Sequence, residues 1–235
     1  MNRLAKLVIT IVSFIVTVFV LDIIAAAVIA DDTIGLALVG NFPVSGADPA
    51  LPLMDRYFQY MGTDTLGWLT YLFSNGAQNL ELIGGGAIAV GDATGYIPIL
   101  MEFHPNSTAP QFFMPHVIGL TKLIVPLIVP AVVSGLISKT TKQALINTFA
   151  AFLIIGVVAS VLNIIHVYMN WTSLGWKFNA TLQTNPLLVD FWTNYAMIVP
   201  DQTMYIVSTT TIIMVFSIVN GGVMCVVSAL SSRKK

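Results

Sequence analysis

The sequence predicts an all-α integral membrane protein with four transmembrane helices and with both termini in the cytoplasm. Hydrophobic residues make up 56% of the chain and charged residues only 9%, whereas soluble domains carry about 25% charged residues. Four apolar stretches each reach the length of about 20 residues that crosses the hydrocarbon core of a bilayer. The whole chain, 1–235, is predicted to be one membrane domain. The predicted spans are 7–29, 117–137, 145–169 and 204–230.

The hairpin formed by the second and third spans determines the predicted topology. Its turn, Ser138–Ala144, contains Lys139 and Lys142 and no acidic residue, and positively charged loops remain in the cytoplasm. The other charges agree with this orientation. Most of the ten basic residues fall on the cytoplasmic side, and all but one of the eleven acidic residues fall on the opposite side. The predicted outer loops are therefore 31–115 and 170–203, in a cell or envelope membrane.

The first span follows a short basic segment that contains Arg3 and Lys6. A secretory signal peptide has a similar form, and the residues Val28-Ile29-Ala30 resemble a cleavage site. The apolar run is longer than the core of a usual signal peptide. We therefore expect an uncleaved first span with its N-terminus inside.

The first outer loop is rich in Gly, Pro and Asp and contains no obvious span. Within it, Leu53–Phe73 is expected to form one or two short helices that lie along the membrane surface. Leu80–Leu100 is ambiguous, because the run Gly84–Gly86 and Asp92 argue against a helix that faces lipid. Short strands or a re-entrant segment packed on protein are the alternatives there. We expect a large structured outer subdomain between the first two spans.

The outer loops must be held without disulfides. The chain has one cysteine, Cys225, and it lies in the last span, so no intramolecular disulfide is possible. The second loop also contains Trp171, Trp176 and Trp192, and tryptophan favours the membrane–water interface. Apolar loops without covalent links are expected to pack against partner proteins.

Two features of the spans bear on helix packing. Pro126 and Pro130 interrupt the second span, and each leaves a main-chain carbonyl that a neighbouring helix must satisfy. Gly221-Gly222 in the last span offers a flat surface for the close approach of another helix.

Two charges lie inside predicted spans, Asp22 in the first and Lys122 in the second. Both are expected about 9–12 Å below the outer end of their span at 1.5 Å per residue, and either charge alone would cost about 2.5–3.5 kcal/mol to insert. Asn163 and Thr209–Thr211 are expected near the same level. We predict a structural ion pair that fixes helix packing. The alternative is a polar site for an ion, a proton or a lipid headgroup.

The histidines suggest a possible metal site on the outer side. Each has a methionine within three residues, and imidazole together with thioether ligands suits copper, above all Cu(I). The opposing interpretation is that these histidines lie at the membrane interface and bond to main-chain groups. The candidate ligands are His104, His116, His166, Met101, Met114 and Met169.

Three Asn-x-Ser/Thr sequons fall in the predicted outer loops, where glycosylation is possible: Asn106, Asn170 and Asn179. The common enzyme signatures are absent, including a nucleophile elbow, a phosphate-binding loop, a dinucleotide fingerprint and a zincin motif. The net charge of −1 gives no basic surface for nucleic acid.

The function expected from the sequence is that of a non-catalytic structural or accessory subunit of a larger membrane or envelope assembly. Its partners would be the lipid bilayer and other membrane subunits or copies of itself. Two alternatives remain open. One is a copper-binding subunit of a membrane oxidoreductase or monooxygenase, and the other is a small transporter or channel that uses Asp22 and Lys122.

Overall fold

The computed structural model describes residues 2–28, 51–75, 113–184 and 202–232 of the chain. These residues form helices only, and no strand occurs among them. The expectation for Leu80–Leu100 lies outside the described residues. The helices are α1 (Arg3–Val28), α2 (Leu53–Thr63), α3 (Thr65–Ser74), α4 (Phe113–Ile137), α5 (Thr141–Thr184) and α6 (Gln202–Ser232).

Three of these helices contain segments that are long and apolar enough to cross a membrane. The segments are Arg3–Ala27 of α1, Thr141–Asn170 of α5 and Thr209–Ser232 of α6. They coincide with the first, third and fourth predicted spans. In α4 the described apolar part, Ile124–Ile137, is shorter. The described residues are therefore all helical and include three candidate membrane spans.

The long helices pack into a bundle whose surface is apolar. Both α1 and α6 pack against α4 and α5. The core includes Phe14, Leu127 and Phe152, and the rings of Phe14 and Phe152 meet edge to face at 6.0 Å. Aliphatic side chains on the outside of the bundle remain exposed, for example Val16 and Val161. An aliphatic exterior is what contact with lipid requires.

The two short helices within the first predicted outer loop are present, but their position differs from the expectation. We expected both to lie along the membrane surface, whereas α3 packs inside the bundle. Tyr71 and Leu72 of α3 are each 2% exposed and belong to the same core cluster as Phe14 and Phe152. The difference arises because six of the ten residues of α3 are leucines or aromatic residues, so its burial against the long helices removes more apolar surface from water than a position at the interface would.

Small residues permit the close contact of α5 and α6. A Cβ atom on Gly156 of α5 would lie 2.6 Å from the Cβ of Ser217 in α6, and a Cβ on Gly221 would lie 3.0 Å from the Cβ of Phe152. A Cβ on Gly222 would meet nothing within 4 Å. Of the two glycines expected to form a flat surface, Gly221 is therefore the one in close contact with α5, and Gly222 is not.

The helix α5 bends at Asn170, which has non-helical φ and ψ of −112° and 16°. The predicted third span ends at this bend, and the chain continues as a helix to Thr184. The Nδ2 atom of Asn170 donates to the main-chain oxygen of His166 at 3.2 Å.

Candidate functional site: a buried ion pair and the helix that covers it

The structure brings Asp22 of α1 and Lys122 of α4 together. The Nζ atom of Lys122 lies 2.6 Å from Oδ1 of Asp22, and the two side chains are 7% and 0% exposed. We call these two residues the buried pair. Their contact compensates two charges that would each be costly to bury alone in an apolar bundle.

Two tyrosines from the short helices complete the surroundings of Asp22. The hydroxyl of Tyr71 in α3 donates to Oδ1 at 3.0 Å, and the hydroxyl of Tyr57 in α2 donates to Oδ2 at 3.2 Å. The indole Nε1 of Trp68 in turn donates to the Tyr57 hydroxyl at 3.0 Å. Both carboxylate oxygens are therefore occupied, as a buried carboxylate requires.

The ring of Tyr71 also faces the ammonium group of Lys122. The distance from Nζ to the ring centroid is 5.7 Å, within the range of a cation–π interaction. Tyr71 thus contacts both members of the buried pair, through its hydroxyl and through its ring.

The C-terminal end of α3 makes a second contact with α4. Asn75 caps α3 in the left-handed conformation, with φ of 51°, and its Nδ2 donates to the main-chain oxygen of Lys122 at 3.2 Å. In a regular helix this oxygen would accept from the residue four positions later, which is Pro126. Proline has no N–H to donate. Asn75 therefore satisfies a carbonyl that Pro126 leaves open, as the sequence predicted a neighbouring element must.

The N-terminal end of α3 is bound through Asp64. Its Oδ1 accepts from the main-chain N–H of Gly67 at 3.0 Å, and its Oδ2 lies 2.9 Å from Nε2 of His166 in α5. Burial, with a smaller contribution from the charge of Asp64, raises the pKa of the Tyr60 hydroxyl above its ordinary value, so that group remains a neutral donor toward the carboxylate. We call Asp64, Tyr60, Gly67 and His166 the outer carboxylate cluster.

The sequence identified the buried pair but not the groups that surround it. The sequence pattern indicates only that four of these residues belong to the loop between the first two predicted spans: Tyr57, Asp64, Tyr71 and Asn75. One signal pointed toward them: an open carbonyl at Lys122 requires a donor from outside α4. Which residue supplies that donor depends on how α3 packs.

Other polar residues expected near the buried pair bond to one another. The Nδ2 atom of Asn163 in α5 lies 2.8 Å from the hydroxyl of Thr209 and 3.3 Å from that of Thr210 in α6. Thr211 is exposed, and its hydroxyl donates to the main-chain oxygen of Val207. These contacts join α5 to α6.

Of the six candidate copper ligands, the structure describes the side chains of His166 and Met169. His166 is bonded to Asp64 at its Nε2, and Met169 is 71% exposed. His104 and Met101 lie outside the described residues, as do the side chains of His116 and Met114. Among the residues that are described, no group of three His, Cys, Asp or Glu side chains is placed to hold a metal ion. Copper binding stays a prediction.

Of the three sequon asparagines, Asn170 is the one whose side chain the structure describes, and it lies at the bend of α5. Asn106 and the side chain of Asn179 lie outside the described residues. The amide nitrogen of Asn170, to which a glycan would attach, is the atom that donates to His166. Glycosylation stays a prediction at all three positions.

The described residues define a helical bundle with three candidate membrane spans and one buried, paired carboxylate. Comparison of the chain with family models, with curated proteins and with solved structures gives no match. The function is therefore argued from the geometry of the site.

Proposed function

We propose that this protein is a non-catalytic structural subunit of a larger membrane or envelope assembly. In this proposal it has four spans, both termini are cytoplasmic, and the outer loops pack against partner chains. The observation that carries the proposal is that both carboxylate oxygens of Asp22 already have partners within the chain. Its two oxygens bind Lys122, Tyr71 and Tyr57, and its side chain is 0% exposed, so the most polar group in the bundle stabilises the fold and leaves no oxygen for a substrate.

The position of α2 and α3 supports the same function. The buried pair and the outer carboxylate cluster fasten this helical segment to α1, α4 and α5 at several points. A segment held so firmly offers partner proteins a rigid outer surface, which lowers the entropy cost of association.

The absence of any disulfide within the chain is the argument for partners. Outer segments of this length that are rich in apolar residues normally need covalent links or a large interface. Since Cys225 is the only cysteine, we expect the parts of these loops that do not pack on the bundle to be stabilised by an interface with other subunits.

Purification from native membranes in a mild detergent tests the proposal. We expect a fixed set of partner chains at constant stoichiometry, identified by mass spectrometry after chemical cross-linking. The Asp22→Ala variant should lose those partners, and Asp22→Asn combined with Lys122→Met should regain most of them. A monomer that retains no partner in any mild detergent would contradict the proposal.

The topology has its own test. In a Cys225→Ser background, single cysteines replace exposed Thr140 and exposed Thr63. A maleimide that does not cross membranes should label position 63 in intact cells and position 140 only after permeabilisation. The reverse pattern would overturn the orientation but would leave the question of partners open.

A second function, transport of a small cation or proton, is favoured by one observation. The helix α3 ends inside the bundle and its last residues lie beside Lys122, and transporters place the ends of broken helices at their binding sites. Reconstituted liposomes that contain a pH-sensitive dye test this function. A proton flux that Asp22→Asn abolishes would favour transport, and a flux no larger than that of empty liposomes would exclude proton transport.

A further inference from the structure

A second polar region lies at the opposite end of the bundle, between the beginning of α1 and the turn that joins α4 to α5. It contains a cavity of about 670 Å³ lined by Arg3, Lys6, Lys139 and Lys142. No acidic side chain is among the described residues that line it. We call it the basic cavity.

Two helix N-termini add to its positive potential. Helix α1 begins at Arg3 and α5 begins at Thr141, and neither has an acidic residue in its first turn. The caps at these helix starts are neutral: Asn2 Oδ1 accepts from the N–H of Ala5, and Thr140 Oγ1 accepts from the N–H of Gln143. The macrodipole at a helix N-terminus favours a nearby anion. Acidic residues usually occupy such first turns, and here the negative charge is missing from both.

Lys6 gives an independent indication that an anion belongs in this place. Its side chain is buried, at 3% exposed, and its Nζ donates to Oε1 of Gln143 at 3.0 Å. The same oxygen accepts from the main-chain N–H of Lys139 at 3.2 Å. A buried ammonium group whose bonded acceptor is a neutral amide gains further stability from a negative charge brought beside it.

Apolar residues form the other wall of the basic cavity. Leu7 and Ile146 line it, and Ile146 is 60% exposed on the outside of the bundle. A ligand that bears a phosphate and an acyl chain would contact both walls, whereas free phosphate would use only the basic one. Basic pockets between transmembrane helices on the cytoplasmic side bind lipid headgroups.

We propose that the basic cavity binds the phosphate of an anionic phospholipid from the cytoplasmic leaflet, with an acyl chain against Leu7 and Ile146. The leaflet, but not the binding itself, rests on the topology proposed above. Lys139 and Lys142 are exposed and supply mobile charges to the phosphate, while Lys6 provides a fixed one.

The test uses the full-length protein in detergent, titrated with phosphatidylglycerol or phosphatidylcholine of identical acyl chains and observed by native mass spectrometry. The wild type should bind phosphatidylglycerol at least tenfold more tightly. Lys139→Gln combined with Lys142→Gln should weaken that binding about 30-fold, since each basic residue contributes about 1 kcal/mol and 1.4 kcal/mol is tenfold. Both lysines are exposed, so an unchanged unfolding midpoint without lipid should show that the fold survives.

Two controls make the result specific. Lys234→Gln combined with Lys235→Gln removes the same charge from the C-terminal tail, and we expect a change of less than about threefold from loss of general attraction. Ile146→Ser should weaken the binding of phosphatidylglycerol while leaving any effect of inorganic phosphate unchanged, because it alters only the apolar wall.

Three results would overturn the proposal. One is equal affinity of the wild type for the two lipids, and another is an equal loss in the tail and cavity variants. The third is displacement of phosphatidylglycerol by millimolar inorganic phosphate, which would identify the ligand as free phosphate. None of these results depends on whether partner chains co-purify, so failure here is distinguishable from failure of the proposed function.

Discussion

Asp22 and Asp64 both fasten the helix α3 to the long helices, yet their surroundings differ. Asp22 lies at the level of the core, is 0% exposed and contacts a full charge, Lys122. Asp64 lies at the N-terminal end of α3, is 30% exposed and contacts a histidine that is 12% exposed. From this difference we expect burial, more than the number of hydrogen bonds, to determine how much each carboxylate contributes to the free energy of unfolding. Water can replace the partners of Asp64 but cannot reach Asp22 without opening the bundle.

The largest effect is expected from removing one member of the buried pair. Asp22→Ala should lower the free energy of unfolding by about 3–5 kcal/mol, because it leaves the ammonium group of Lys122 buried without its countercharge. Chemical unfolding in detergent micelles measures this change. Asp22→Asn combined with Lys122→Met should recover most of the loss. A double variant as unstable as Asp22→Ala would show that the pair is not what stabilises this region.

A matched pair of glycine variants tests how closely the residues around Asp64 are packed. A Cβ on Gly67 would lie 2.5 Å from Oδ2 of Asp64 and would overlap the hydroxyl of Tyr60, whereas a Cβ on Gly62 would meet nothing within 4 Å. Gly67→Ala should therefore cost about 1–3 kcal/mol through overpacking. Gly62→Ala should stabilise α2 by up to about 1 kcal/mol. Equal unfolding free energies for these two variants would argue against the close packing of the outer carboxylate cluster.

Asn75 allows a test of the contact between α3 and α4 that does not touch either carboxylate. Asn75→Gly keeps the left-handed conformation but removes the donor to the Lys122 carbonyl, and it should cost about 1–2 kcal/mol. The loss should shrink when Pro126→Ala is also present, because residue 126 can then donate to the same carbonyl. A double-mutant cycle measures the coupling, and strictly additive losses would contradict the proposed compensation.

The smallest effect is expected at His166. His166→Leu removes the partner of Asp64 but leaves Asp64 to cap α3 through Gly67, so the loss should be at most about 1 kcal/mol for this partly exposed pair. Thermal unfolding in the same detergent gives the measurement. A loss as large as that of Asp22→Ala would reverse the ranking of the two carboxylates and would direct attention back to His166 as a functional residue.

Different parts of this molecule were predictable to different degrees. The apolar stretches predicted four spans, and three of them coincide with helices that have the length and composition of membrane spans. The ends of the first and last helices lie within a few residues of the predicted ends. The third continues past its predicted end, because Asn170 bends the helix without ending it. Hydropathy predicts which segment of the chain can cross a membrane, but it does not predict how far the helix continues beyond that segment.

The candidate site was predictable in its charges and unpredictable in its surroundings. Asp22 and Lys122 stand out in any reading, since charged residues are rare in apolar spans. Nothing in the local pattern around Tyr57 or Tyr71 distinguishes them from tyrosines at a membrane interface, where such residues are common. The open carbonyl caused by Pro126 predicted that some donor must exist but could not name Asn75.

The sequence by itself determined the apolar segments that have the length and composition of membrane spans, and it placed two charges, Asp22 and Lys122, inside apolar stretches. These properties follow from composition and from periodicity, which are local. Only the tertiary structure decided that α3 packs inside the bundle and that two tyrosines donate hydrogen bonds to the carboxylate of Asp22. It also decided that basic residues from α1 and the α4–α5 turn line one cavity. Each of these facts depends on the approach of segments far apart in the chain, and packing alone selects among the many pairings that the same hydropathy pattern allows.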